Sequence, residues 1–320
     1  MVSPAPDMLE VTIVGRTVEA DGIISLDLVA RDALPLPAFE AGAHVDVHVA
    51  PGVVRQYSLC SDPAKNDAYR LAILLEAASR GGSANIHGQF QPGQTIRIGA
   101  PRNAFRLVED AERSILIAGG IGVTPIYAMA HRLRALDADF AFHYCTRSGA
   151  RTAFREELRQ TSFADRLTIH VDDEGNAIDL DATLAAPSAG THLYICGPTG
   201  FIDYVTAAAE RLGWAKTQVH VEHFGAEIDS AGDGFTVEAR RSGRTFAIPS
   251  DRTIAQVLLA AGIDVPLSCE QGVCGTCLTN VIAGTPDHRD MILTEDEREA
   301  GTEMAICCSR SKTPVLVLDI

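Results

Sequence analysis

From residue 8 to residue 100 apolar and polar positions alternate with a period of two. Leu9-Glu10-Val11-Thr12-Ile13-Val14, Ile24-Ser25-Leu26-Asp27-Leu28-Val29, Val45-Asp46-Val47-His48-Val49, Arg70-Leu71-Ala72-Ile73-Leu74-Leu75 and Thr95-Ile96-Arg97-Ile98 read as strands, parted by the turns Asp21-Gly22, Pro51-Gly52 and Pro92-Gly93. Short strands at this spacing predict an antiparallel barrel over residues 1–106. The rhythm changes near Ser114. The apolar run Ile115-Leu116-Ile117-Ala118 ends in Gly119-Gly120, and a helical pattern follows from Thr124 to about Ala135. Strands at Phe140 to Cys145, Leu167 to Val171, His192 to Cys196 and Val219 to Phe224 then alternate with helices at Ala153 to Arg159 and Phe201 to Leu212. That order predicts a parallel sheet with right-handed crossovers over residues 107–226. A small, polar, glycine-bearing stretch reads as a linker over 227–234. Beyond it, Phe235 to Ala239 and Arg244 to Ile248 form a hairpin around Ser242-Gly243. A helix from Thr253 to Ala261 and a last strand Val315 to Leu318 complete a segment over 235–320.

A chain of 320 residues is too long for one core, in keeping with this division. The first ten residues, Met1 to Glu10, lack a cationic start followed by an apolar run, so no signal peptide is expected, and no run of 18 apolar residues suggests a membrane helix. The formal net charge of −15 argues against nucleic acid and anionic membranes as partners. It suits docking to a basic protein patch, although solubility alone also accounts for it.

Of the eight cysteines, five lie between Cys269 and Cys308. In a reducing compartment such crowding points to metal ligands or catalytic groups, not disulfides. The run Cys269-x4-Cys274-x2-Cys277, with Cys307 following 29 residues later, is the spacing of a plant-type [2Fe–2S] site. Four thiolates must surround two irons, and Gly272 and Gly275 allow the loop to wrap tightly. A cluster of this type has a potential of about −400 mV. Structural zinc favours paired short spacings, and unliganded core cysteines would not place three in one tight loop. Cys307 and Cys308 are adjacent, and an extended segment can turn only one of them to the cluster. Asp296, Glu297, Glu299 and Glu303 follow Thr294, which with Glu297 fits a capping box; a docking face is the weaker reading.

Gly119-Gly120-Ile121-Gly122-Val123-Thr124-Pro125 joins a strand to a helix, the setting in which glycines let a pyrophosphate approach a helix N-terminus. Thr124 suits the cap and Pro125 the first helical position; Pro125 stands where G-x-G-x-x-G has its third glycine. Cys196-Gly197-Pro198 ends a later strand of the same sheet, where a small thiol can meet a nicotinamide ring. Core packing would also explain Cys196, as it does Cys60 and Cys145. In the barrel, Arg55-Gln56-Tyr57-Ser58 offers a phosphate partner, a stacking ring and a hydroxyl, and Arg80-Gly81-Gly82-Ser83 offers backbone N–H groups to the same phosphate. Nicotinamide delivers two electrons as hydride and the cluster accepts one, so a flavin is needed between them.

Taken together with Leu59-Cys60, Ser79, Glu270-Gln271, Val273, Thr276, Thr285-Pro286-Asp287-His288-Arg289-Asp290 and Ser309-Arg310-Ser311-Lys312, these motifs resemble the phthalate dioxygenase reductase family over essentially the whole chain. The resemblance implies a flavin-binding antiparallel β-barrel, a parallel-sheet nucleotide-binding domain and a C-terminal plant-type ferredoxin domain of β-grasp fold. It implies FMN rather than FAD, held by Arg55, Gln56, Tyr57, Ser58 and the turn Gly81-Gly82-Ser83. NADH would bind at Gly120, Gly122, Thr124, Pro125, Cys196, Gly197 and Pro198, with Phe224 over the flavin or near the nicotinamide. Cys269, Cys274, Cys277 and Cys307 would hold the cluster, and Ser58, Thr124 and Cys196 would flank the hydride path. The implied partner is a Rieske-type terminal oxygenase of the aromatic O-demethylase or dioxygenase class, served by a monomeric, cytoplasmic reductase component. Arg147, at the end of the second parallel strand, could accept the 2′-phosphate of NADPH, yet the resemblance favours NADH. Two rival classes are a redox sensor and a self-sufficient flavin oxidase.

Overall fold

The computed structural model describes residues 8–76, 81–185, 187–224, 232–267 and 269–320. Residues 227–231 of the expected linker fall outside them, as do Ser79 and Arg80. The chain divides into two compact units, Met1–Phe224 and Gly225–Ile320.

The first unit opens with β1 (Met8–Ala20), β2 (Ile23–Ala30), β3 (His44–Ala50), β4 (Val53–Ser58), β5 (Tyr69–Leu74), α1 (Gly82–Gln89) and β6 (Thr95–Gly99). The strands pair antiparallel in the order β4-β3-β6-β1-β2-β5. Leu59, just past β4, bridges Leu71 of β5, and the Cys60 N–H donates to the Arg70 carbonyl at 3.0 Å. The two outer strands therefore meet and the sheet closes into a barrel. The period-two pattern fills it: Val11, Ile13, Val45, Val47, Leu59, Leu71 and Ile98 are buried together.

A parallel sheet shares this unit. It is built from β7 (Arg113–Gly119), α2 (Val123–Ala135), β8 (Phe140–Thr146), α3 (Arg155–Arg159), β9 (Leu167–Val171), α4 (Leu180–Thr183), β10 (Thr191–Gly197), α5 (Thr199–Arg211) and β11 (Val219–His223). The strand order is β11-β10-β7-β8-β9, all parallel. Order reverses between β7 and β10, so a ligand crevice opens beyond their carboxyl ends. One face packs on the barrel through Ile23, Ala41, Cys60, Ala72 and Phe105, which are buried with Leu116, Val123, Tyr127 and Phe154. Arg70 reinforces the join. It pairs with Asp27 in the barrel at 2.7 Å and with Glu157 of α3 at 3.0 Å, and Tyr127 donates to the same Glu157 at 2.6 Å.

The second unit holds β12 (Phe235–Ala239), β13 (Arg244–Ile248), α6 (Ile254–Ala260), β14 (Leu278–Ala283), β15 (Pro286–Asp287), α7 (Glu295–Ala300), β16 (Glu303–Ala305), β17 (Arg310–Ser311) and β18 (Val315–Leu318). The main sheet runs β13-β12-β18-β14-β16, with β12 and β18 parallel at its centre. Val237, Phe246, Ile254, Leu258, Ile306 and Leu316 form the core beneath α6, the β-grasp arrangement. Both short helices carry capping boxes, Thr253 with Gln256 and Thr294 with Glu297, each cap contributing about 1 kcal/mol. Among the described residues no helix is long and apolar enough to cross a membrane.

Candidate functional site

In the barrel, β4 carries Arg55, Gln56, Tyr57 and Ser58. Arg55 and Tyr57 share one face by strand alternation. The stretch Gly81-Gly82-Ser83 is the start of a helix, not a free turn: Gly81 is the N-cap of α1, with φ of 88°, and Ser83 is buried. The Ser83 hydroxyl accepts from the Glu76 N–H at 3.1 Å. Arg55 lies across this N-terminus, because a Cβ at Gly82 would fall 2.8 Å from its side chain. A guanidinium laid over helix N–H donors is a phosphate cradle, and the glycine makes room for it. Tyr57 is half-buried, and burial raises its phenol above the ordinary value. The residues present thus fit a flavin phosphate and ring.

The nucleotide turns meet at the order reversal. A 3-10 turn at Gly120–Gly122 runs directly into α2, whose cap is Gly122. This corrects the expected cap: Thr124 lies inside the first turn, its hydroxyl donating to the Ile121 carbonyl at 3.1 Å, and Pro125 follows where a helix leaves its N–H unpaired anyway. The tight entry forces the shift. A Cβ at Gly122 would sit 2.2 Å from the Cys196 carbonyl oxygen, and Cβ atoms at Gly119 and Gly197 would strike the Phe201 ring at 2.6 and 2.9 Å. Only glycines allow the two turns to touch.

One residue that the sequence left unremarked ties these parts together. Glu222 of β11 is hydrogen-bonded to Ser58 of the barrel. The Cys196 thiol lies 4.0 Å from its Oε2. Ser58 and Cys196, far apart in sequence, are thus brought together through one carboxyl. Burial raises Glu222 to about 8, with the Ser58 hydrogen bond pulling the other way, although the side chain keeps partial access to solvent. Burial, aided by Glu222, likewise raises the Cys196 thiol well above its ordinary value, so it is a neutral thiol and not a nucleophile. The one carboxylate on the alternating strand Val219-His220-Val221-Glu222-His223, near its carboxyl end, is the available signal. Phe224, just past β11, is 40% exposed.

In the second unit the loop from Cys269 to Cys277 turns on Glu270, Gly272 and Gly275, with φ of 54°, 67° and 74°. Glu270 holds a left-handed conformation that glycine would adopt more readily. The thiol of Cys269 contacts those of Cys274 and Cys307, and Cys307 also contacts Cys277. The Gln271 N–H donates to the Cys269 sulfur at 3.3 Å. Among the described residues no group of three or more His, Cys, Asp or Glu side chains is arranged for a single metal ion. Four neighbouring sulfurs with backbone donors aimed at one of them fit an iron–sulfur cluster. Cys308 has a different setting. It is fully buried, donates to the Ala305 carbonyl at 3.6 Å, and fills the space over Gly272, where a Cβ would lie 2.7 Å from its sulfur.

The 2Fe-2S iron-sulfur cluster binding domain family matches residues 237–312, and the N-terminal domain of dimethylamine monooxygenase subunit DmmA-like proteins matches residues 95–219. Vanillate O-demethylase oxidoreductase of Pseudomonas putida is 48% identical over 317 residues, covering 98% of this chain and 100% of that protein. The structure of phthalate dioxygenase reductase, described as modular for electron transfer from pyridine nucleotides to [2Fe–2S], is 38% identical with a TM-score of 0.78, covering 98% of each chain. CYP116B46 from Tepidiphilus thermophilus is 42% identical with a TM-score of 0.77; this chain is covered to 98% but spans only 42% of that longer protein.

Proposed function

Since this chain belongs to the phthalate dioxygenase reductase family, we propose that it takes electrons from NADH and delivers them to a Rieske-type terminal oxygenase of the aromatic O-demethylase or dioxygenase class. The observation that carries this reading is the presence, in one chain, of the Ser58–Glu222–Cys196 contact between barrel and nucleotide sheet and of a four-thiol cluster site. Bound at these residues, FMN and the [2Fe–2S] cluster supply the conversion of a two-electron hydride into single electrons.

The chain's own groups have separable tasks. Arg55 and the N-terminus of α1 bind the flavin phosphate, which suits FMN, and Tyr57 packs against the ring. Gly120, Gly122, Thr124 and Pro125 with the turn Cys196-Gly197-Pro198 receive NADH. The neutral Cys196 thiol offers a small, polarizable surface to the nicotinamide. Ser58 and Glu222 hold a proton at the carboxyl oxygen between the two ligands, and Phe224 shields the ring. Cys269, Cys274, Cys277 and Cys307 hold the cluster. The working divisions are residues 1–106, 107–226 and 235–320, with 227–234 as the linker. An acidic, monomeric, cytoplasmic protein with a formal charge of −15 suits a basic docking patch on the oxygenase.

The test is Cys274→Ser in the full chain. NADH-driven reduction of a two-electron dye should persist, while one-electron cytochrome c reduction should fall to background. Loss of both activities in a folded protein overturns the order of the relay, and a protein without flavin and iron–sulfur absorption bands overturns the function.

A further inference from the structure

Behind the cluster loop lies a carboxylate, the last residue of the Thr285-Pro286-Asp287-His288-Arg289-Asp290 motif, to which no role has yet been given. Asp290 is buried, its side chain 0% exposed. It accepts from the N–H groups of Ile292 at 3.2 Å and Leu293 at 2.9 Å and from the Ser309 hydroxyl at 3.4 Å. Ser309 lies two residues from Cys307. The next residue, Met291, donates its N–H to the Gly272 carbonyl at 2.9 Å, and a Cβ on Gly272 would sit 3.1 Å from the Asp290 Cα. Asp290 therefore joins the loop that carries three of the thiols to the segment that carries the fourth.

Its charge is only loosely matched. Arg298 donates to the Asp290 backbone carbonyl, but its Nη2 stays 3.9 Å from the carboxylate and its buried Nε has no hydrogen-bond partner. His288 closes the other side. Its Nδ1 is 3.7 Å from Oδ1, beyond hydrogen-bonding reach, and neither ring nitrogen is hydrogen-bonded. Burying a charge costs free energy unless pairing and hydrogen bonds offset it, so a carboxylate kept here in place of a neutral isostere calls for a reason.

We propose that Asp290 is a positioning residue for the [2Fe–2S] centre: it locks the thiolate loop to the Cys307 segment and keeps a negative charge behind that loop, which disfavours electron uptake by the cluster. Arg298 opposes that charge from the other side. The proposal rests on the cluster assignment above and deepens it, giving the site a way to hold its potential low.

The experiment is an EPR-monitored redox titration of the full-length holoprotein, with iron release to a chelator measured alongside. Asp290→Asn keeps the shape, removes the charge and leaves one oxygen to serve three donors. Its midpoint potential should move positive, and iron should be released about fivefold faster, the factor that one lost hydrogen bond is worth. Arg298→Gln should move the potential in the negative direction. A merely structural role would not give opposite signs, so shifts of one sign, or none, overturn the proposal. Should Asp290→Asn fail to retain the cluster, Arg298→Gln decides alone: a negative shift supports the proposal, and no shift or a positive one ends it. A wild-type protein without a reduced-cluster EPR signal refutes the cluster assignment instead, which keeps the two failures distinct.

Discussion

Replacing Glu222 by glutamine removes one titrating group and little else. In the folded chain burial holds the Glu222 carboxyl at about 8, against an ordinary value of 4.5. Folding therefore takes up a proton between these values. The contribution of this group to stability is full below pH 4.5 and is lost as pH rises through about 8. The gap of 3.5 pH units, from 4.5 to about 8, bounds the effect at about 5 kcal/mol, each unit being worth about 1.4 kcal/mol. Screening by the solvent that still reaches this side chain lowers the expected value to about 2–3 kcal/mol. The chain supplies its own reporter. Its single tryptophan, Trp214, is buried in the same unit, with its Nε1 donating to the Leu184 carbonyl at 3.0 Å. Urea unfolding followed by Trp214 fluorescence at pH 5, 6, 7 and 8 should show the wild type losing about 2–3 kcal/mol relative to Glu222→Gln across that range. Parallel stability profiles for the two proteins would refute the claim that this carboxyl is protonated near neutral pH.

Two further substitutions probe close packing. Gly122→Ala drives a Cβ to 2.2 Å from the Cys196 carbonyl, a backbone atom that cannot swing aside, so about 1–3 kcal/mol of strain should appear as a lower melting temperature and a KM for NADH raised about tenfold; wild-type values for both would show that the two turns do not touch. Cys307→Ala should abolish the iron and sulfide content of the purified protein, whereas Cys308→Ala should retain both at a loss of about 1 kcal/mol of packing, and the reverse pattern would exchange the roles of the two cysteines.

Period and punctuation made much of the architecture readable from the chain. The strands Phe235–Ala239, Arg244–Ile248, Leu167–Val171 and Val315–Leu318 lie where apolar alternation or apolar runs place them. The cap at Thr294 follows from the affinity of a hydroxyl and a carboxylate for free N–H groups. Helix α1 escaped notice because Gly-Gly opens it and a third glycine interrupts it, a composition with poor helix propensity that tertiary packing overrides. Thr124 has the residue type of a cap, but a preceding 3-10 turn places the cap at Gly122 and starts the helix two residues earlier, at Val123. The Ser58–Glu222–Cys196 meeting was not legible, since it depends on how a barrel strand docks against the end of a parallel sheet. Nor could spacing rank Cys307 against Cys308; in the fold the Cys307 thiol meets those of Cys269 and Cys277, whereas the Cys308 sulfur packs over Gly272.

The meeting of Leu59 with Leu71 reaches further than the joining of two strands. It ties the two terminal strands of the sheet together at one point, so less of either edge is left open for another polypeptide to add itself. Strand β4, which bears Arg55 and Tyr57, is registered along β3 and held just past its end by that bridge, so it cannot slide by one residue without turning that pair to the opposite side. The placement of the phosphate and ring contacts is thereby a property of the closed ring as a whole, set before any cofactor arrives.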